Sequence, residues 1–206
     1  MEHTPTDPRI RRRPGGRAAQ VTEAVHEAVL AAVVEVGVDK VGIPDISRRA
    51  GVRDTTIYRR WGTRENLILD VMLTGSERIL RVPDTGALKD DLIAFATALD
   101  EYLASALGQG LIRVLASITD SPATAEARTT FWSQRLRSVQ VIIHRAVERS
   151  EVPADVDAGL AIELLISPIH FRHLLTRQPC DREFIDSLVN AVIGCCQCAP
   201  ADATHE

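Results

Sequence analysis

Along most of this chain apolar residues return every three or four positions, the repeat of an amphipathic α-helix with one buried face. Val21, Val25, Val29, Val33 and Val36 form one such stripe, Leu88, Leu92, Phe95, Leu99 and Leu103 a second, and Trp132, Leu136, Val139, Ile143 and Val147 a third. Aromatic residues are only 4% of the 206, and alanines are interleaved with the β-branched residues, a composition poorly suited to a β-sandwich or barrel. The chain is therefore expected to be all-α, with enough length for one or two small domains. It has no run of 18 or more apolar residues, so no membrane partner is expected. Residues 1–16 are polar and basic, without the apolar stretch of a secretory signal. Three of the four cysteines, Cys195, Cys196 and Cys198, crowd into four positions, with Cys180 upstream. That is no disulfide framework, and it points to a cytoplasmic protein.

Proline, glycine and capping residues divide the stripes into nine predicted helices. Residues 1–16, with Pro5, Pro8, Pro14, Gly15 and Gly16, form a flexible basic arm. The first helix covers Arg17 to Val36 and stops at Gly37. Two short helices follow, Ile43 to Ala50 and Arg53 or Asp54 to Trp61. Thr63 caps a fourth from Arg64 to about Leu80. Longer helices then span about Ala87 to Leu107, interrupted by Gly108 and Gly110, a short stretch through Leu111, Leu115 and Ile118, and Pro122 to about Arg149 behind a Ser121 cap. Asp155 is expected to cap a helix reaching Thr176, and Asp181 the last one. The domain reading is 17–63, 64–200 and a tail at 201–206.

Charge separates the two parts. Residues 1–62 carry a net +3 and the remainder −7, and Arg9, Arg11, Arg12, Arg13 and Arg17 lie within nine positions. Such a run is either a solvated tail or a phosphate-binding arm, and the second reading needs a DNA-binding element next to it. Ile43-Pro44-Asp45-Ile46-Ser47-Arg48-Arg49-Ala50-Gly51-Val52-Arg53-Asp54-Thr55-Thr56-Ile57-Tyr58-Arg59-Arg60-Trp61 supplies it. Two short helices meet at a tight turn containing Gly51. Ile46, Ala50, Val52 and Ile57 turn inward. The second helix presents Arg53, Thr55, Thr56, Tyr58, Arg59 and Arg60, donors suited to base edges and phosphates, as a helix-turn-helix requires in the major groove. Trp61 is read as core. Arg48 and Arg49 are read as solvated or in contact with DNA.

This stretch resembles the TetR family of bacterial transcriptional regulators, over about Arg11 to Val71. The Arg-Pro-Gly-Gly-Arg lead, Gly37, Asp45-Ile46-Ser47, Ala50-Gly51-Val52, Thr56-Ile57-Tyr58-Arg59-Arg60-Trp61 and Thr63-Arg64-Glu65-Asn66-Leu67 agree in order and spacing. Glu163-Leu164-Leu165 through Leu174-Leu175-Thr176 is similar to one type of ligand domain in that family. The resemblance implies a double-stranded DNA operator as partner. Arg53, Thr55 and Thr56 would face bases or nearby phosphates. Tyr58, Arg64 and Arg17 would face phosphates, and Arg11 to Arg13 the minor groove. With Arg59 these make up the DNA-binding candidates. Gly42 departs from the threonine common in the family, so a capping side chain and its phosphate contact are missing.

The resemblance also implies a homodimer through the last two helices, with Ile162, Leu165, Leu188, Val192 and Cys195 as interface candidates, and a near-palindromic operator. Pro168 frees the carbonyl of Leu164, and a kink there would open a cavity. Its candidate lining is Trp132, Leu136, His144, His170, Phe171 and His173, a mostly apolar site for a small-molecule effector. Ordinary core packing is the competing reading of each of these residues. The chain is thus expected to be a ligand-responsive repressor. The first rival is a metal- or thiol-sensing regulator using Cys195, Cys196 and Cys198. His170 and His173, one turn apart, invite the same idea. Zinc sites, however, need ligands converging from two elements, so no metal and no cofactor is expected. The second rival is an enzyme or binding module that no longer reads DNA, and no nucleophile motif supports catalysis.

Overall fold

The computed structural model describes residues 16–117 and 122–197. The arginines from Arg9 to Arg13, Ile118, Ser121, Cys198 and the tail at 201–206 lie outside the described residues. Helix α1 spans Arg17–Val36, α2 Ile43–Ala50, α3 Asp54–Trp61, α4 Arg64–Ile79, α5 Leu88–Ala104 and α6 Ala106–Ser117. They are followed by α7 at Pro122–Val139, α8 at Val141–Glu148, α9 at Ala158–Phe171 and α10 at Arg182–Gln197. Gln140 keeps helical dihedrals between α7 and α8, so those two are one bent run, and the described residues form nine helical runs without strands.

The apolar stripes decide how these helices pack. Val25, Val29 and Val33 of α1, Ile46 of α2, Ile57 and Trp61 of α3, and Leu67, Ile68 and Val71 of α4 are buried together at the N-terminal end. Leu92, Phe95, Leu99 and Leu103 of α5 meet Ile142 and Ile143 of α8, Ile162, Leu165 and Ile169 of α9, and Val189 and Val192 of α10 in the body. Helix α4 belongs to both groups. It packs on α1 and α3 on one side and on α6 and α7 on the other.

Several details differ from the sequence reading. The break between α5 and α6 falls at Ser105, whose hydroxyl donates to the Tyr102 carbonyl (2.6 Å) and accepts from the Gly108 amide (3.2 Å). A serine that closes the turn with its own side chain ends the helix before the glycines are reached. Gly108 instead permits a close approach of backbones, since a Cβ there would land on the Tyr102 carbonyl oxygen and 2.6 Å from Leu103 Cα. The cap of α9 is Asp157, which accepts from the Leu160 amide at 2.9 Å, and not Asp155. Helix α9 continues through Pro168, then widens into a π turn at Arg172–Thr176, and ends at Arg177 in the left-handed region.

The interface candidates divide. Ile162, Leu165 and Val192 are buried in this chain's own core, because they lie on the inward faces of α9 and α10. Leu188 is half-buried and Cys195 exposed. The outward apolar positions of α9 are instead Leu160 and Leu164.

Replacing Gly108 by alanine tests the α5–α6 corner. Alanine in a helix interior ordinarily gains about 1 kcal/mol over glycine. Here the backbone contact outweighs that, and Gly108→Ala should lower the thermal midpoint, consistent with a net loss of about 1–3 kcal/mol. An unchanged or raised midpoint in calorimetry would show that the corner relaxes freely.

Candidate nucleic-acid interface and buried cavity

Gly51 takes φ 65° and closes α2, with the Val52 amide donating to the Ser47 carbonyl at 3.0 Å. Only glycine enters this left-handed conformation without strain, and this turn sets the angle between α2 and α3. Ser47 also hydrogen-bonds through its hydroxyl to the Asp54 carboxylate, tying α2 to the first turn of α3. On this frame Arg53, Thr55 and Arg59 are exposed, Thr56 is partly covered, and Tyr58 stands 52% exposed. A large aromatic side chain left half in water on a short helix with a buried opposite face is available to a partner. Arg17, at the start of α1, is exposed as well.

Not every arginine faces outward. Arg64 donates through Nε to the Val41 carbonyl (2.5 Å) and through an Nη to the Val38 carbonyl, and its other Nη lies 3.1 Å from Glu65. Expected as a phosphate ligand, it is engaged as a clasp across the 3-10 turn Val38–Lys40. Carbonyls that end a short turn need donors, and a guanidinium fork supplies two. Arg48 and Arg49 pair with Asp45, and Arg49 also with Glu35. Gly42 precedes α2 without a side-chain cap, and a Cβ there would meet only Pro44 Cδ at 3.7 Å.

The helix carrying these groups is held from below by Asp70 of α4. Trp61 Nε1 donates to Asp70 Oδ2 at 2.7 Å, and His26 Nε2 of α1 lies 2.9 Å from the same oxygen. The contact with His26 holds the Asp70 carboxyl below its ordinary range. The indole N–H and the Arg60 charge act the same way, and burial opposes them. Neither His26 nor Asp70 was singled out in the sequence, because an isolated histidine and aspartate on two helices carry no spacing signal.

A second feature lies in the body. Ser76 and Leu80 of α4, Phe95, Leu99, Tyr102 and Leu103 of α5, Trp132, Arg135, Leu136 and Val139 of α7, and Ile162, Ile166 and His170 of α9 surround a cavity of about 30 Å³. An outer groove of about 490 Å³ continues from it past Trp132, Leu136, Ile166 and His170 to Phe171, Leu174 and Leu175. Trp132 and His170 meet edge to face, centroids 5.6 Å apart, where the two spaces join. Burial lowers the pKa of His170, whose Nδ1 lies 2.9 Å from the Ile166 carbonyl. Burial pushes the Tyr102 hydroxyl up to about 12.

Of the lining candidates, Trp132, Leu136 and His170 reach the inner cavity, while Phe171 reaches only the outer groove. His144 is exposed on α8, and His173 faces a different cleft, beside Asp100. A helical period of 3.6 alone sets residues three apart about 60° from one another around the axis, enough to send His170 and His173 to different neighbours. Arg135, missed in the sequence, is buried with its guanidinium 5.6 Å from the Phe95 ring centroid. Its position beside the Trp132 and Leu136 stripe is the signal that could have found it. Of the C-terminal thiols among the described residues, Cys195 is exposed and Cys196 buried on the same helix.

Family models match both parts of the chain. That for bacterial regulatory proteins of the tetR family matches residues 27–71, and that for tetracyclin repressor-like C-terminal domains matches residues 82–192. The chain belongs to the TetR family. Its relatives include the HTH-type transcriptional regulator AqdR of Rhodococcus erythropolis, 38% identical over 79% of this chain and 80% of that one. YdeS of Bacillus subtilis, also named as an HTH-type transcriptional regulator, is 30% identical over 84% of this chain and 90% of that one. Among solved structures, the TetR family transcription regulator SCO0332 superposes with a TM-score of 0.78 at 25% identity, covering 88% of this chain and 100% of the other. Salmonella enterica GusR shares the fold, with a TM-score of 0.66, 20% identity, and 90% and 100% coverage. This TetR-family chain is a DNA-binding transcriptional regulator of the helix-turn-helix type.

Arg59 and Arg64 should respond differently to alanine. Arg59→Ala leaves the melting temperature unchanged and weakens duplex binding about 10-fold or more, the scale of one lost base or phosphate contact. Arg64→Ala removes hydrogen bonds from a charged donor and should lower stability by about 1–3 kcal/mol. Equal melting temperatures for the two variants would contradict this division.

Acid should weaken the Asp70 junction only below the ordinary carboxyl range. Its folded pKa is depressed, so its contribution is complete above the ordinary value of 3.8 and is lost as pH falls through that value toward the lower folded one. Asp70→Asn should be less stable near neutrality and show a shallower loss of stability below about pH 4. Parallel stability–pH curves for the two proteins would rule this out.

Proposed function

We propose that this chain is a dimeric repressor that leaves its operator when a small, mostly apolar effector enters the body. In this reading residues 17–63 read DNA, 1–16 add a basic arm, and 64–200 hold the effector and the second subunit. The observation that carries the proposal is the double role of α4. Its Asp70 holds α3, which presents Arg53, Thr55, Thr56, Tyr58 and Arg59, its Arg64 clasps the turn before α2, and its Ser76, with Leu80 at its C-cap, lines the cavity. Anything that widens that cavity pushes on the helix that positions α3.

The present space of about 30 Å³ admits little more than a water molecule. An effector would come in from the outer groove and enlarge it between α7 and α9. Only a ligand that prefers the enlarged state can shift the equilibrium away from DNA. The lining favours an apolar molecule with a small number of polar groups, which Tyr102, His170 and Arg135 would meet.

The dimer reading rests on the outer face of α9 and α10. Leu160 and Leu164 are exposed on α9 beside Cys195, and Ser187, Ala191 and Gly194 make the neighbouring exposed face of α10 small. The run 158–176 is long and apolar enough by composition to cross a membrane, yet its Ile162, Leu165 and Ile169 serve the core. Its remaining apolar surface suits a second copy of the chain. Two copies would set two α3 helices about one turn of DNA apart.

Selection of random duplex DNA by the purified protein tests this. The expected result is an enriched near-palindrome whose affinity falls steeply with salt, with two chains bound per site. Enrichment of an asymmetric site bound by one chain would remove the dimer. No enrichment at any salt concentration would remove sequence-specific repression.

A further inference from the structure

His173, in the π turn at Arg172–Thr176, stands against α5, where its Nε2 lies 2.7 Å from Asp100 Oδ1. Cys180, in the connection to α10, is buried at the same point. One donor atom from each of Asp100, His173 and Cys180 falls within 4.8 Å of the others. The three come from separate elements: the middle of α5, the end of the α9 run, and the segment before α10. They stand at the wall of an open cleft of about 430 Å³ that also involves Ala104, Arg177 and Pro179.

We propose that Asp100, His173 and Cys180 form a binding site for a divalent transition metal, with zinc as the fitting ion. An imidazole nitrogen, a carboxylate oxygen and a thiolate sulfur make a mixed donor set of the type zinc takes, with three protein ligands and a fourth position left for water from the cleft. Zinc bonds of 2.0–2.3 Å imply ligand atoms about 3.4 Å apart in a tetrahedron. The Asp100–His173 pair, 2.7 Å apart, therefore opens by less than an ångström, and the thiol, within 4.8 Å of both, has to close by no more than about 1.4 Å. The charges also suit a dication: a carboxylate and a thiolate neutralise it.

Both nearby guanidinium groups are engaged elsewhere. Arg172 is stacked on Phe184, 3.4 Å from the ring centroid, and hydrogen-bonded to the Pro179 carbonyl, while Arg177 reaches Gln109 at 3.4 Å. Without metal, burial and the Asp100 charge keep the Cys180 thiol protonated, with its pKa pushed up to about 11. On binding, a zinc–sulfur bond forms as the S–H bond breaks, and the proton passes to solvent, so metal uptake acidifies the solution. Bound zinc would staple α5 to the corner between α9 and α10. The site shares no lining residue with the effector cavity.

The test uses the full chain with Cys195, Cys196 and Cys198 replaced by serine, titrated with cobalt(II) and, calorimetrically, with zinc. The expected result is one metal per chain, a thiolate-to-cobalt charge-transfer band, and the intense visible bands of a tetrahedral site. Cys180→Ser should abolish the charge-transfer band. His173→Ala and the near-isosteric Asp100→Asn should each weaken zinc at least about 10-fold, with the helical circular dichroism retained. Absence of the band in the parent protein would overturn the proposal. So would a zinc affinity that Cys180→Ser, His173→Ala and Asp100→Asn leave unchanged.

Discussion

One carboxylate joins the three helices that must keep a fixed relation for DNA to be read. Asp70 of α4 accepts a hydrogen bond from the Trp61 indole N–H of α3 and contacts His26 of α1 through the same oxygen. A short helix such as α3 has too few internal hydrogen bonds to be stable alone. Its orientation is supplied by Ile57 and Trp61 in the core, by the Ser47–Asp54 link to α2 and by this carboxylate. Asp70 is only half-buried, so its two contacts orient the helices while its charge keeps access to water. The polar contacts thus specify one geometry on an apolar foundation.

The same helix extends that constraint into the body. Between Asp70 and Leu80, the C-cap of α4, lie less than three helical turns, and at the far end Ser76 and Leu80 meet a small cavity. Close-packed interiors do not deform continuously. A change of volume there has to be accommodated by the movement of whole helices, which is why a small cavity beside α4 matters more to the proposed regulation than the larger open cleft at Asp100.

Helix periodicity made nearly every element legible, because each stripe belongs to one helix and needs no knowledge of its neighbours. Caps were legible where the side chain competes with no rival, as at Thr63 and Asp181. They were not where two aspartates lie two residues apart: only Asp157 has its carboxylate over the amide of Leu160. The outward residues of α3 followed from the helix-turn-helix pattern. The fate of Arg64 did not, since its partners are carbonyls more than twenty residues away. The cavity lining was legible only in part. Trp132 and Leu136 lie on a stripe, but Arg135 is buried and His144 exposed for reasons that depend on which helix stands opposite.

The sequence by itself determined the all-α class, the position of the helix-turn-helix and the inward stripe of helices such as α5, because these follow from local repeats of 3.6 residues and from the backbone freedom of Gly51. The tertiary structure alone decided that Arg64 is a clasp while Arg59 faces outward, which face of α9 stays exposed, and that His173 joins Asp100 and Cys180 instead of His170. Those outcomes depend on contacts between segments far apart in the chain, and long-range contacts leave no periodic trace in a single sequence.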